Sequence, residues 1–463
     1  MNKLKLNDLI KKLKDNFMKN SFLALLMLLT VTWSYAQEQT YSFTLEEAIN
    51  FAIENNYGAI NADRDLLDAQ KQKWETIATG LPQISGAVSY QNQLKQPVSL
   101  LPGELAGQEP GTFIPIVFSQ PQTASATATL KQQIFDGSYI VGIQATKAFI
   151  AYSDNNKEKT ELDVRKSVVE AYGNVLLSQE SIAILEKNKA NLEKNLFETQ
   201  KLFENGLGDE ESVEQLQITL SSVENQLKNS LRLQSITLQM LNLIMGLDID
   251  APTQLKENLS DLAQAQIRLD LLDEDLVMDN NIDFKMVDNL NQQRELELKL
   301  QKSLALPTLN AFINYGSTSY SDRFNFLNNE AEWFDSSILG FDLSIPIFSS
   351  LGRSAKTARA KIALEKARTQ KSETEQSIRL QHQTAKSNYL FSIEQYNTAS
   401  ENLALAERIE MKNEIKYSEG LATSFELRQA QTQLYDAQQE YLQSMVEVIN
   451  NKTTLETVLN SKL

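Results

Sequence analysis

Proline is distributed along this 463-residue chain in a way that leaves few folds open. All nine prolines are accounted for by Pro82, Pro97, Pro102, Pro110, Pro115, Pro121, Pro252, Pro307 and Pro346. Residues 122–251, and everything after 346, are therefore free of the residue that most reliably ends a helix. Within those runs, from about 138 to 204 and again from about 351 to 416, glycines are few. Apolar residues recur there every seven positions: Leu162, Val169, Leu176, Ala183, Ala190 and Phe197. The segments that follow space theirs three and four apart, as helices packed along a seam do. A helix of about 65 residues is about 100 Å long, against about 12 residues for an ordinary one. The expectation is a body built to span a distance.

The chain is also written twice. At an offset of 214, Ala171, Asn174 and Ser178 fall on Ala385, Asn388 and Ser392, Gly206-Leu207 on Gly420-Leu421, and Gln215 and Gln217 on Gln429 and Gln431. Upstream the offset drifts, with Phe135 meeting Phe348 and Leu81-Pro82 meeting Leu306-Pro307, as loop insertions produce. Each repeat reads helix, strand, strand, very long helix, turn, helix. The first opens on a capping box, Thr44-Leu45-Glu46-Glu47. The glycines at the two turns, Gly206 and Gly420, allow the backbone to reverse between antiparallel helices.

Four strand-like runs lie between the helices. Ile84, Gly86, Val88 and Tyr90 alternate with small or polar residues, as do Ala124, Ala126, Ala128 and Leu130; Leu309, Ala311, Ile313 and Tyr315; and Leu339, Phe341, Leu343 and Ile345. Each run is about ten residues, the length of a tilted membrane-spanning strand. A small soluble sheet packed on helices has the same alternation. If the strands do cross a membrane, four are too few to close a barrel and an open edge in lipid is prohibitive, so several chains must share one.

Composition removes other classes. With no cysteine and one histidine, disulfides, thiolate metal sites, cysteine nucleophiles and histidine triads are not expected, nor is a cofactor. A net charge of −16 argues against nucleic acid as partner. Residues 1–36 carry six lysines and two aspartates, then an apolar run from Phe22 to Trp33 that ends in Ser34-Tyr35-Ala36. This reads as a signal peptide cleaved before Gln37, with Met1 or Met18 as the start and no cysteine for a lipid anchor. Its loss takes the charge to −20.

Taken in order, the Thr44–Ile49 opening, the two Leu-Pro junctions, and the tip Tyr417-Ser418-Glu419-Gly420 followed by Leu427, Gln429, Gln431 and Leu434 resemble the TolC-like outer membrane efflux protein family. The similarity covers the mature chain. It implies a mostly α fold with a small β part: a duplicated long-helix coiled-coil barrel, plus four β-strands per chain contributing to a shared 12-stranded trimeric membrane β-barrel. The boundaries expected are a signal peptide at 1–36, a first repeat at 37–245 with strands at about 83–92 and 122–134, and a linker or equatorial segment at 246–281. A second repeat follows at 282–463, with strands at about 307–317 and 336–347. The implied setting is the outer membrane of a Gram-negative bacterium, with a tunnel projecting into the periplasm. The implied partners are two further copies in a homotrimer, a periplasmic adaptor (membrane fusion protein), an inner-membrane pump of RND or ABC type, and outer-membrane lipid.

The tips are then the periplasmic aperture and adaptor contact: Gly206, Glu210, Glu211, Ser212, Tyr417, Gly420, Ala422, Glu426, Arg428 and Gln429. In the family, a tyrosine, an arginine and acidic residues close the aperture. Tyr417 and Glu426 match, whereas Ala422 replaces the arginine, and Ser212 and Gln429 replace two acids. Arg428 with Glu210 or Glu211 is the candidate substitute. Pro82, Phe135, Pro307 and Phe348 mark helix–strand junctions, where the aromatics either anchor the barrel at the interface or pack inside the junction. The aromatics from Tyr315 to Phe334 form either an interfacial girdle or a surface loop cluster. His382 reads as a packed or wet-face histidine. The function expected is a passive exit duct of a tripartite efflux system, with an acidic tunnel favouring cationic or amphiphilic solutes. The rivals are a channel for type I protein secretion and a non-pore periplasmic coiled-coil scaffold; an enzyme is not expected.

Overall fold

A computed structural model describes residues 40–329 and 331–460; the expected leader at 1–36 lies outside them. In chain order the elements are β1 (Tyr41–Phe43), α1 (Leu45–Asn55), α2 (Tyr57–Thr79), β2 (Gln83–Asn92), β3 (Ser99–Pro102), β4 (Phe113–Ile116) and β5 (Gln122–Asp136). Next come α3 (Gly137–Glu204), α4 (Glu210–Met245), β6 (Thr253–Leu255), α5 (Leu259–Ala265), α6 (Ile282–Ser303), β7 (Thr308–Ser321), β8 (Phe334–Ser344), α7 (Gly352–Ser418) and α8 (Ser424–Leu459). The two long helices hold 68 and 67 residues, and each is followed by one of 36. Among the described residues, no helix is long and apolar enough to cross a membrane.

The chain divides into two compact units, and α3 and α7 each contribute to both. The first takes residues up to Asn56, Val164–Leu269 and Tyr389–Thr453. Its core joins Ala48 and Ala52 of α1, Val168, Tyr172 and Leu176 of α3, Leu241 and Met245 of α4, Leu259 of α5, and Met445 and Ile449 of α8. Thr44 starts α1 through the capping box, its Oγ1 accepting the Glu47 N–H while its own N–H donates to Glu47 Oε2. β1 and β6 form a short parallel pair that the sequence pattern did not reveal. The Tyr172 hydroxyl donates within that core, lying 3.1 Å from the Phe43 carbonyl and 3.0 Å from Glu257 Oε2. Burial and the Glu257 charge both push its pKa up.

The seven-residue stripe does not stay buried along α3. Val169 and Leu176 are covered, but Ala183, Ala190 and Phe197 face outward, Phe197 being 64% exposed. A straight helix drifts about 20° per heptad from a 3.5-residue repeat, so four heptads rotate the stripe off the seam. The seam here passes instead through Asn188, Leu192, Asn195 and Thr199.

The second unit takes Tyr57–Asp163, Asp270–Asn388 and the chain from Thr454. Its centre is an antiparallel four-stranded sheet of order β2-β5-β7-β8. Its helices are tied by side chains: Lys157 to Asp63 (2.8 Å), Lys285 to Glu158 (3.0 Å), and Asn289 Nδ2 to the Ala148 carbonyl (3.0 Å). Within the proline-rich stretch 92–122, β3 and β4 form an antiparallel pair. A two-stranded ribbon is all edge, so Pro102 and Pro115 fit where an N–H would point outward.

Candidate membrane sheet and helical tips

The strand register turns four separate alternations into one surface. Ile84 lies beside Leu130, Leu130 beside Ile313, and Ile313 beside Leu339. Gly86, Ala128, Tyr315 and Ser337 form the next row and Val88, Ala126, Ser317 and Asp335 the one beyond, so the face turns polar toward the start of β8; in the other direction Ala311 pairs with Phe341 and Leu309 with Leu343. The opposite face is mixed, with polar and small residues prevailing: Ser85, Thr129, Asn314 and Ile338 form one row, Ala87, Thr127, Gly316 and Ser336 another, and Gln83, Lys131, Phe312 and Gly340 a third. The apolar face is uncovered: Val88 is 85% exposed, Ile84 77%, and Leu339 and Phe341 about two-thirds. Alternation in sheets normally exists to bury such a face, so its exposure points to an apolar medium or partner. β2 and β8 are the sheet's outer strands, each with one side free of strand pairing among the described residues.

At the α2–β2 junction, Gly80 precedes Leu81-Pro82. A Cβ there would lie 2.2 Å from the Tyr139 ring, whose hydroxyl donates to the Ile77 carbonyl at 3.0 Å. Phe135 sits at the bulge where β5 shifts register against β7. Asp136 then caps α3, its Oδ1 accepting the Ser138 N–H at 2.7 Å and the Ser138 hydroxyl at 2.6 Å. In the second repeat Pro307 precedes β7, and β8 ends before Pro346, which has no N–H to pair. Ser350 and Leu351 hold φ of 47° and 65°, a strained turn for side-chain-bearing residues. The Arg353 guanidinium crosses that turn and donates to the Pro346 carbonyl at 2.7 Å. Ile347 and Phe348 beside it are more than 80% exposed. Tyr90, Phe324 and Phe326 form a three-ring cluster with centroids 5.4–5.9 Å apart.

Both tips use one device. Gly206 (φ 71°) and Gly420 (φ 73°) end α3 and α7; the Leu207 N–H returns to the Leu202 carbonyl and the Leu421 N–H to the Lys416 carbonyl. These are left-handed glycine caps with a six-to-one hydrogen bond. The next helix is capped each time. Asp209 accepts the Ser212 N–H at 2.7 Å, and that bond is the chief cause of its lowered pKa. Thr423 and Glu426 form a reciprocal box, and the Thr423 backbone N–H is the chief cause lowering the Glu426 pKa. Thr423-x-x-Glu426 has the spacing that marked Thr44, so this cap was readable from sequence.

Two hydroxyl contacts join the tips: Thr199 Oγ1 with the Tyr417 hydroxyl at 2.9 Å, and Ser212 Oγ with Ser424 Oγ at 2.8 Å. Tyr417 and Ser212 are thus each bonded across hairpins. Glu210 and Glu211 lie in the first turn of α4, Glu211 accepting from Gln215 at 2.9 Å. Arg428 lies over the Phe425 ring at 5.4 Å, and among the described residues it pairs with neither Glu210 nor Glu211. The Ala422 N–H returns to the Lys416 carbonyl, and Gln429 is exposed.

Above the tips, sequence reasoning missed two polar layers one heptad apart on α3 and α8. Asn188 Nδ2 donates to Gln438 Oε1 at 2.8 Å, whereas Asn195 Nδ2 and both polar atoms of Gln431 are buried without partners among the described residues. Glu410, half-buried near Glu414, has its pKa raised mainly by burial. His382 is partly buried, and burial lowers its pKa, with Lys386 adding to the effect.

Comparison with known proteins agrees with this geometry. Outer membrane efflux protein is the family matched, over residues 69–247 and 274–461, and the chain belongs to it. The outer membrane protein TolC of Vibrio cholerae is 26% identical over 258 residues, which span 52% of this chain and 54%, about half, of that relative. Among solved structures, the outer membrane protein VceC of Vibrio cholerae superposes with a TM-score of 0.69 at 15% identity, covering 90% of this chain and 95% of its own. The Campylobacter jejuni CmeC outer membrane channel gives 0.71 at 16%, covering 90% and 85%. The fold, long helices with a small antiparallel sheet, is that of these channels.

Proposed function

We propose that this chain is the outer-membrane channel of a tripartite efflux system, a passive duct through which solutes leave under power supplied by an inner-membrane pump. The observation that carries the reading is the sheet: one largely apolar face, an opposite face on which polar and small residues prevail, and two outer strands that, among the described residues, are free on one side. In lipid such edges must be paired, and copies joined β8 to β2 meet that need; three give twelve strands. The apolar face then meets lipid and the polar face lines water. The long helices enclose the periplasmic tunnel, the two tips of each chain bound its aperture and meet the adaptor, and the hydroxyl contacts at Tyr417 and Ser212 hold it closed. The test is the mass of the native complex extracted by detergent from the outer-membrane fraction, followed by conductance in planar bilayers. Three processed chains and a single-channel current are expected; a soluble monomer or dimer without conductance rejects the channel.

A further inference from the structure

In an acidic chain, the start of α7 is strongly basic: residues 352–371 hold seven Lys or Arg against one acid, Glu365. Three of the seven are accounted for. Arg353 holds the Pro346 carbonyl, Arg368 lies 3.5 Å from Glu295, and Lys371 pairs with Asp288. Lys356, Arg359, Lys361 and Lys366 are exposed and have no ion pair among the described residues. They flank two grooves against α6 in which cations outnumber acids: one of about 610 Å³ lined by Arg294, Lys356, Arg359 and Lys366 with Glu297, which pairs with Arg294, and another of about 630 Å³ lined by Lys302, Lys361 and Arg368 with Glu365. The architecture does not require this charge. The corresponding turns of α3, residues 138–157, carry only Lys147 and Lys157 against Asp154, and Lys157 is paired with Asp63.

What precedes the cations suggests their ligand. Ile345, Ile347, Phe348 and Leu351 are all more than half exposed and continue directly from the apolar strand β8. An apolar run followed at once by unpaired cations is the order met when a chain leaves hydrocarbon through anionic headgroups. Lys356, Arg359 and Lys361 lie four to nine residues into α7, about 6–14 Å along its axis, near one Debye length. Side chains of a helix lean toward its N-terminus, which for α7 is the β8 side, and long cationic side chains extend further toward an interface.

We propose that Lys356, Arg359 and Lys361, with Lys302 of α6, form a cationic collar that holds the phosphate headgroups of anionic phospholipids in the leaflet bordering the strand ends. The proposal rests on the barrel reading, and its test separates the two. The detergent-purified full-length oligomer is incubated with equal amounts of phosphatidylglycerol and phosphatidylcholine, and the lipid retained is measured by native mass spectrometry. Enrichment of phosphatidylglycerol is expected. It should fall about a hundredfold in K356Q/R359Q/K361Q, persist in K356R/K361R, and persist in K187Q/K228Q/K412Q, which removes equal charge elsewhere. Unchanged enrichment in the collar variant overturns the proposal, as does equal loss in the distal control. Displacement of phosphatidylglycerol by millimolar inorganic phosphate also overturns it, by assigning the cations to a soluble anion. Wild-type protein that neither oligomerises nor co-floats with neutral vesicles defeats the barrel instead, whereas collar failure leaves both intact.

Discussion

Gln431 is almost wholly buried in the seam of the tip helices, yet neither its amide nitrogen nor its oxygen has a partner among the described residues. An unsatisfied buried polar group costs about 1–3 kcal/mol, so Gln431→Leu is expected to raise the thermal midpoint of the purified oligomer; a lowered midpoint would mean that the amide is satisfied on assembly. Two glycines separate strain from crowding. Gly206 and Gly246 both have φ above 70°, but a Cβ at Gly206 meets open space, while at Gly246 it would lie 2.1 Å from the Asn55 carbonyl oxygen. Gly206→Ala is expected to cost about 1 kcal/mol, the left-handed penalty alone, and Gly246→Ala clearly more in a denaturant series, because backbone must move.

The hairpin tips have an expected pH response with a definite sign. Asp209 and Glu426 have pKa values below their ordinary 3.8 and 4.5 because they cap helices. Their contribution is therefore complete above those ordinary values and is lost as pH falls through the lower folded ones. Glu410, with its pKa raised, acts in the opposite sense: its ionised form weighs against the fold, and that weight is lifted as pH falls through the raised value. Protection against hydrogen exchange at 204–212 and 418–426, relative to the intrinsic rate at each pH, should fall below about pH 4 and lose that dependence in D209N/E426Q. The links between the tips are neutral hydroxyl pairs, each worth about 0.5–1.5 kcal/mol. Tyr417→Phe is expected to raise the open probability of the reconstituted channel several-fold, with little dependence on salt; an unchanged channel would place the gate elsewhere.

The long helices and the strands were readable because each announces itself locally, by missing prolines or by two-residue alternation. The β1–β6 pair, the β3–β4 ribbon and the Asn188–Gln438 layer were not, since strands of three or four residues show no period and buried amides look polar in any sequence window. Phe197 misled for a third reason: a heptad count ignores the slow rotation of a straight helix.

For the assembled chain, the register makes the two faces of the sheet unequal in a way lysine can report. Val88→Lys and Leu339→Lys place charge on the apolar face and are expected to cost about 2–4 kcal/mol each near the membrane midplane, reducing inserted oligomer on semi-native gels. Thr129→Lys, on the other face, should insert normally; equal loss from all three would reverse or abolish the assigned orientation. The acidic balance of the whole chain likewise predicts cation preference in bilayer conductance, with anion preference counting against it.

The pairing of β5 with β7 also has a kinetic meaning. It joins Gln122–Asp136 to Thr308–Ser321, so both long-helix hairpin arms of the first repeat and the following linker must be made before the middle of the sheet can form. Closing so large a loop is entropically slow, whereas the helices on either side need only local contacts. During that delay the two local pairs, β2–β5 and β7–β8, each leave an unpaired edge and an apolar face in water, the condition that favours aggregation. The tunnel helices are thus expected to be ordered first and the sheet last, leaving the membrane portion dependent on whatever keeps exported strands apart until their distant partners arrive.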